Sequence, residues 1–105
     1  MAALGQFQQQ TLYALLRLGD KAYGMRIWEE LEERTEGSVA VGAVYATLER
    51  LQNKGYVSSH LGEPTPERGG RAKRYYTITG TGARALQETE QAFVNLRAWA
   101  PREQI

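Results

Sequence analysis

Residues 41–61 read VGAVYATLERLQNKGYVSSHL, and this stretch decides the fold. Within it, Val44, Leu48 and Leu51 are separated by four and then three residues, which places them on one face of an α-helix. Small and polar residues fill most of the other positions. The pattern therefore predicts a helix over residues 41–54 with one buried side and one exposed side.

A β-hairpin is predicted directly after this helix. Gly55 stands where a glycine commonly follows the last helical turn. Residues 56–61 and 74–79 have strand character, the second through its β-branched and aromatic side chains. Residues 63–73, EPTPERGGRAK, are polar and contain glycine and proline. We therefore expect two strands joined by a long, basic tip.

Two helices are predicted before this segment. Apolar residues recur at helical spacing from Leu4 to Leu18 and fall into two stripes. Burial of both stripes in one core and contact of one stripe with a partner chain explain this pattern equally well. Residues 24–34 form the second helix. On it we expect four glutamates to face solvent, namely Glu29, Glu30, Glu32 and Glu33.

A last helix is predicted over residues 80–100, with Thr79 as its N-cap. Apolar and small residues alternate along it at spacings of four and three, at Gly82, Leu86, Thr89, Phe93, Leu96 and Ala100. Such a heptad-like seam favours packing against another helix. That helix lies either in a second chain or at the start of the same chain, and the two alternatives are compatible.

Composition excludes several classes of protein. The 105 residues allow one domain, and 42% of them are hydrophobic, enough for one core. There is no cysteine and a single histidine, His60, which excludes disulfides, thiolate metal sites and paired-histidine sites. No nucleophile–base set or phosphate-binding glycine loop can be assembled, so we expect neither an enzyme nor a cofactor. Without a membrane span or signal peptide, the expected location is the cytoplasm.

Charge is distributed unevenly along the chain. The total is +1, but residues 20–36 contain six acids and three bases, and residues 50–84 contain seven bases and two acids. A solvated loop and a site for a polyanion explain the basic segment equally well when it is considered alone. The acidic second helix would repel phosphate, so we expect it to point away from any nucleic acid.

Together these elements predict a mainly α protein with a small β-hairpin, an α+β winged helix-turn-helix. Residues 1–79 would form this domain, and residues 80–105 a C-terminal dimerisation helix and tail. In this fold the third helix enters the major groove of double-stranded DNA. The basic hairpin, or wing, reaches the flanking phosphates, which position the protein but carry no sequence information.

The sequence resembles the PadR family of bacterial transcriptional regulators over residues 10–86. The resemblance rests on Tyr23-Gly24, on VYATLERL (44–51) with KGYV (54–57), and on GRAKRYY (70–76) followed by TITGTG (77–82). It implies a homodimer built by the first and last helices, which binds an imperfect palindrome and usually represses transcription. The short tail resembles a subgroup in which some members sense planar molecules in an aromatic cavity at the dimer interface.

Three sets of candidate residues follow. The DNA-binding candidates are Gly42, Ala43, Tyr45, Ala46, Arg50, Lys54, Arg68, Arg71, Lys73 and Arg74. The dimer candidates are Leu4, Phe7, Leu86, Phe93, Leu96 and Trp99. A planar aromatic effector would stack on Trp28, Phe93 and Trp99, for which core or interface packing is the competing explanation.

Several alternatives stay open among these candidates. Tyr45 could pack against the wing instead of touching DNA, and Arg50 and Lys54 could contact phosphate or simply be solvated. Ala40 and Ala43 replace polar residues that family members often carry there, which removes a cap and shifts the expected DNA contact toward the wing. A winged-helix adaptor that binds proteins is the alternative function, and the basic hairpin argues against it.

Overall fold

The computed structural model describes residues 4–35, 37–63 and 72–100. It confirms the predicted order of three helices, a hairpin and a last helix, and each boundary lies within two residues of its prediction. A short 3₁₀ helix, Gly19–Lys21, follows the first α-helix. The elements are α1 (Gln6–Leu18), α2 (Gly24–Arg34), α3 (Val41–Asn53), β1 (Val57–Leu61), β2 (Arg74–Ile78) and α4 (Gly80–Trp99).

The core is shared by all of these elements. The predicted stripe of α3, Val44, Leu48 and Leu51, is fully buried. It packs with Leu12 of α1 and Ile27 of α2 in one hydrophobic cluster. Because α3 places only this stripe in the cluster, its opposite side is left at the surface. In residues 4–18, by contrast, residues of both predicted stripes are buried, Leu4 and Ala14 from one and Leu12 and Leu15 from the other.

The end of α3 is closed by a Schellman motif. Gly55 adopts φ +80°, a conformation that L side chains rarely adopt. Its N–H donates to the carbonyl oxygen of Gln52, and the N–H of Tyr56 donates to that of Leu51, both at 2.9 Å. The predicted stop at Gly55 is confirmed, and it turns the chain directly into β1.

The two strands form an antiparallel wing, and its second strand, β2, is hydrogen-bonded to the chain just before α2. In the register, Val57 lies opposite Ile78 and Ser59 opposite Tyr76. The N–H of Tyr76 donates to the carbonyl oxygen of Ala22 at 2.9 Å, just before α2. Tyr76 is buried in the core. The base of the wing is therefore held in place relative to α2 and α3.

The first half of α4, residues 80–89, completes the core, and we call it the root of α4. Thr79 caps it as predicted, because its hydroxyl accepts a hydrogen bond from the Gly82 N–H at 3.0 Å. The same hydroxyl donates to the carbonyl oxygen of Gly55 at 2.7 Å. Ala85 and Leu86 are buried. The root is thus joined both to the hydrophobic core and to the turn between α3 and β1.

The second half, residues 90–99, is the distal half of α4, and every residue in it is exposed. The exposed fraction is 64% for Phe93, 75% for Leu96 and 89% for Trp99. Among the described residues, only the first part of the heptad-like seam is therefore buried. Within the described residues, no helix is both long enough and apolar enough to cross a membrane.

The prediction of four solvent-facing glutamates on α2 is wrong for Glu30. Its side chain is buried, and its Oε2 accepts hydrogen bonds from Nε of Arg17 (2.6 Å) and Nε of Arg34 (3.1 Å). The guanidinium of Arg26 lies 3.6 Å from its other carboxylate oxygen. The Arg17 hydrogen bond is the main cause that lowers the pKa of Glu30, against the opposing effect of burial.

Helical spacing alone could not identify this inward carboxylate, because its arginine partners come from two helices. Glu32 is also only partly exposed and accepts a hydrogen bond from the Val39 N–H. Glu29 and Glu33 are exposed, as predicted.

Candidate nucleic-acid interface

The side of α3 that faces away from the core carries all six candidates predicted on this helix and its C-cap. Each of them is exposed: Gly42, Ala43, Tyr45, Ala46, Arg50 and Lys54. The first two turns of this side present mainly small side chains, so the helix backbone can approach a ligand surface closely. The structure therefore offers one continuous exposed face at the predicted position.

The start of α3 lacks a side-chain cap. Ala40 is the N-cap residue and has no hydroxyl or carboxylate to accept a hydrogen bond. Its carbonyl oxygen accepts the N–H groups of Ala43 (3.1 Å) and Val44 (3.3 Å) instead. The first turn is thus closed by backbone contacts, in agreement with the departure noted in the sequence.

Tyr45 projects from α3 onto the start of α2. A Cβ atom added at Gly24 would lie 2.3 Å from the Tyr45 hydroxyl oxygen, so the phenol occupies the space that a side chain at position 24 would fill. Tyr45 nevertheless remains 42% exposed. With Arg74 and Tyr76 it lines a cleft between α3 and the wing. Packing against the body thus leaves a large part of this side chain at the surface.

Two predicted basic residues of the wing, Lys73 and Arg74, are exposed at the start of β2. The Lys73 ammonium lies 4.2 Å from the centre of the Tyr23 ring, a cation–π contact. Arg74 donates a hydrogen bond from Nη1 to Oγ of Ser59 at 3.0 Å. The other two candidates, Arg68 and Arg71, lie outside the described residues.

An aromatic stack supports the base of the wing. Tyr75 meets Tyr23 edge to face at 5.7 Å between ring centres and stacks on His60 at 5.8 Å. A Cβ added at Gly62 would lie 2.6 Å from the Tyr75 ring, so only glycine fits there without displacement. These contacts hold the strand that carries Lys73 and Arg74.

The electrostatics of this surface favour an anion. Arg50, Lys54, Lys73 and Arg74 contribute four positive charges along α3 and the start of β2, and Glu49 is the acid on the same stretch of α3. No group of three or more metal-ligating side chains occurs in the part of the chain that is described. The arrangement suits phosphate binding through hydrogen bonds and charge.

Sequence reasoning missed the residues that hold the cations. Ser59 and Gln52 form a hydrogen-bonded chain with Arg74, and the Tyr23 ring makes a cation–π contact with the Lys73 ammonium. Only the alternation of β1, which puts Ser59 on the face opposite to His60, gave a hint of this arrangement.

The family comparison decides the identity. Residues 12–88 match the transcriptional regulator PadR-like family. The chain belongs to this family. The predicted resemblance is confirmed, and because PadR proteins are transcriptional regulators, the chain is a DNA-binding regulator and not an enzyme.

Solved PadR structures have the same fold. A PadR-like transcription factor from Bacteroides fragilis is 28% identical with a TM-score of 0.68, and the match covers 89% of each chain. A PadR family regulator from Clostridium difficile is 25% identical with a TM-score of 0.67, covering 86% of this chain and 91% of the other. The sequence has no significant match among the curated proteins.

The remaining candidates of this PadR chain separate into buried and exposed groups. Leu4 and Leu86 are buried within the single chain, so they have little surface left for a partner. Phe7 is partly buried against the core. The indole N–H of Trp28 donates to the carbonyl oxygen of Val39 at 2.6 Å, and the ring packs partly buried against the core. The other three, Phe93, Leu96 and Trp99, are exposed on the distal half of α4.

Proposed function

We propose that this PadR chain is a repressor that binds a palindromic operator as a homodimer. One α3 from each protomer enters the major groove of a half-site, and each wing lies on the flanking phosphates. A dyad between the protomers places the half-sites about one helical turn, roughly 34–36 Å, apart.

The observation that carries this proposal is the continuity between α3 and the wing. Tyr45 and Arg74 line one cleft, so a helix in the groove and a basic strand on the backbone belong to a single surface. Gly42, Ala43 and Ala46 let the helix approach base edges closely, while Arg50, Lys54, Lys73 and Arg74 supply charge for phosphates. Arg68 and Arg71, which lie outside the described residues, are proposed as further phosphate contacts.

The distal half of α4 supports the homodimer. Phe93 and Leu96 continue the heptad-like seam after the core has ended, Trp99 lies beside it, and all three are exposed. Contiguous exposed apolar surface on a small chain marks an interaction site. A second α4, together with the partly buried Phe7, is the proposed cover for this surface.

A planar aromatic effector is proposed between the two distal halves. Trp99 is 89% exposed and Phe93 is 64% exposed, so both rings are available to stack on a flat molecule once a second protomer closes the site. Trp28 has the weaker case, because its indole already bonds Val39. Titration of a Trp28→Phe variant with planar aromatic dyes tests the idea, because Trp99 is then the only tryptophan. Unchanged fluorescence would remove the effector from the proposal.

The decisive experiment measures binding to DNA from upstream of the chain's own gene, against a scrambled duplex, over a series of salt concentrations. Preferential binding with a steep log–log salt slope is expected, because phosphate contacts release counterions. Lys73→Ala should weaken binding to both duplexes and reduce the slope by about one. Lys73→Arg keeps the charge at the same position, should retain the slope of the unaltered chain and is the matched control.

The outcomes separate the rival functions. Equal, weak binding to both duplexes would mean that the operator lies elsewhere and would direct the search to other promoters. Absence of binding to either duplex at low salt would overturn the proposal in favour of the protein-binding adaptor. Repression itself is tested by a reporter gene placed behind the bound fragment, with the Lys73→Ala variant expected to restore expression.

A further inference from the structure

The geometry points to Ser59 and Gln52 as positioning residues that hold Arg74 in place for a DNA phosphate. This inference rests on the proposed mode of DNA binding and deepens it. A hydrogen-bonded chain crosses three elements: Ser59 on β1 donates to Oε1 of Gln52 on α3 at 3.3 Å and accepts from Nη1 of Arg74 on β2 at 3.0 Å. We call these three side chains the Arg74 relay.

The direction of the hydrogen bonds makes the relay specific. A serine hydroxyl has one proton to donate and lone pairs to accept. The Gln52 carbonyl oxygen takes the proton, so the lone pairs of Ser59 are turned toward the guanidinium. Gln52 is itself carried by the exposed side of α3. The relay therefore couples the position of Arg74 to the position of the helix that enters the groove.

The relay leaves Arg74 able to bind an anion. A guanidinium carries five N–H donors in a planar fork, and the bond to Ser59 uses one of them. Arg74 is exposed and lines a cleft of about 420 Å³ with Tyr45, Glu49 and Tyr76. A phosphate contacted by two donors of such a fork is bound more strongly than by a single charge.

Holding the side chain in advance is what makes the relay useful. A free arginine loses rotamer freedom when it binds a phosphate, and this loss reduces affinity. The bond to Ser59 removes part of that freedom before DNA arrives. Lys73 is restrained in a different way, through its contact with the Tyr23 ring, and does not depend on the relay.

The test is a double-mutant cycle on a labelled duplex from upstream of the chain's own gene. Arg74→Ala should weaken binding roughly tenfold and lower the salt slope by about one. Ser59→Ala should weaken it roughly threefold to tenfold without changing the slope, because the charge is still present. In the Arg74→Ala background, Ser59→Ala should have no further effect. Ser59→Thr retains the hydroxyl and should restore binding.

Ser58→Ala is the matched control, because Ser58 is the neighbouring exposed serine of β1 on the opposite face of the strand. An equal loss from Ser59→Ala with and without Arg74 would overturn the relay, since Ser59 would then act through the fold or touch DNA itself. The same holds if Ser59→Ala binds like the unaltered chain while Arg74→Ala is weakened. If the unaltered chain does not bind DNA at all, the proposed function itself is overturned.

Discussion

The two halves of α4 belong to one helix, yet they have opposite surroundings. In the root, Gly82, Ala85 and Leu86 are buried, and Thr79 joins the helix to the turn after α3. In the distal half, Phe93 and Leu96 continue the same spacing and Trp99 lies beside them, and none of the described residues covers these side chains. A regular apolar pattern therefore identifies a helix face that is suited to burial. Whether the same chain or a partner buries that face depends on how the other helices and strands pack.

The largest effect is expected from a methyl group added in the root. A Cβ at Gly82 would lie 2.1 Å from the carbonyl oxygen of Tyr56, and backbone cannot give way as a flexible side chain can. Gly82→Ala should lower the free energy of unfolding by about 3 kcal/mol, measured by urea denaturation. Gly80→Ala is the control, because a Cβ there meets no atom within 4 Å. Equal stability of the two variants would contradict the close packing of the root.

The same substitution in each half tests the comparison directly. Leu86→Ala should cost about 3 kcal/mol of unfolding free energy, because Leu86 is 3% exposed and its removal leaves a cavity. Leu96→Ala should lower the unfolding free energy of the monomer by less than about 0.5 kcal/mol, because Leu96 is 75% exposed.

Leu96→Ala should instead weaken self-association, which sedimentation over a range of protein concentrations measures. If the unaltered chain is monomeric at every concentration, the proposed role of the distal half is excluded.

A smaller loss of stability is expected at the ion pair between α1 and α2, where Glu30 contacts Arg17. Glu30→Gln keeps the shape but removes the carboxylate that Arg17 and Arg34 bind, and should cost about 2 kcal/mol at neutral pH. Because the pKa of Glu30 is lowered in the folded chain, its contribution is present above the unfolded pKa and is lost as pH falls through the folded one.

Urea denaturation over a pH series should therefore show the Glu30→Gln variant converging on the unaltered chain in acid. Arg26→Gln, which removes only the longer contact of 3.6 Å, serves as the milder control. A difference that stays constant with pH would exclude the carboxylate as its source.

The smallest effect is expected at Tyr13, which joins α1 to the start of the distal half. Burial, followed by a hydrogen bond to Glu90, raises the pKa of Tyr13 to about 12. Because burial chiefly disfavours the phenolate, the contribution of Tyr13 to stability does not change with pH below the ordinary value of 10 and falls as pH rises toward 12. Tyr13→Phe should remove this alkaline dependence with little change at neutral pH. Absorbance titration of tyrosinate in both chains measures it.

Particular residues show which features of the fold and of the candidate site could be predicted from the sequence. The stripe Val44, Leu48 and Leu51, the stop at Gly55 and the Thr79 cap are local patterns, and each lies where it was predicted. The prediction for Glu30 was wrong because a glutamate at that spacing is ordinarily solvated. Its carboxylate pairs with Arg17 of α1 as well as with Arg26 and Arg34 of its own helix, and the contact from α1 forms only in the folded chain. The candidate site was predicted as a list of residues, but the contacts that hold them were not.

Sequence by itself determined the order of the elements, the buried side of α3, the basic wing and the family, because these depend on spacings within a few residues. Tertiary structure alone decided that Tyr45 lies on Gly24, that Ser59 links Gln52 to Arg74, and that α4 divides into a buried root and an exposed distal half. The physical reason is that such contacts join residues far apart in the chain. Their formation depends on how helices and strands pack, which no local period encodes.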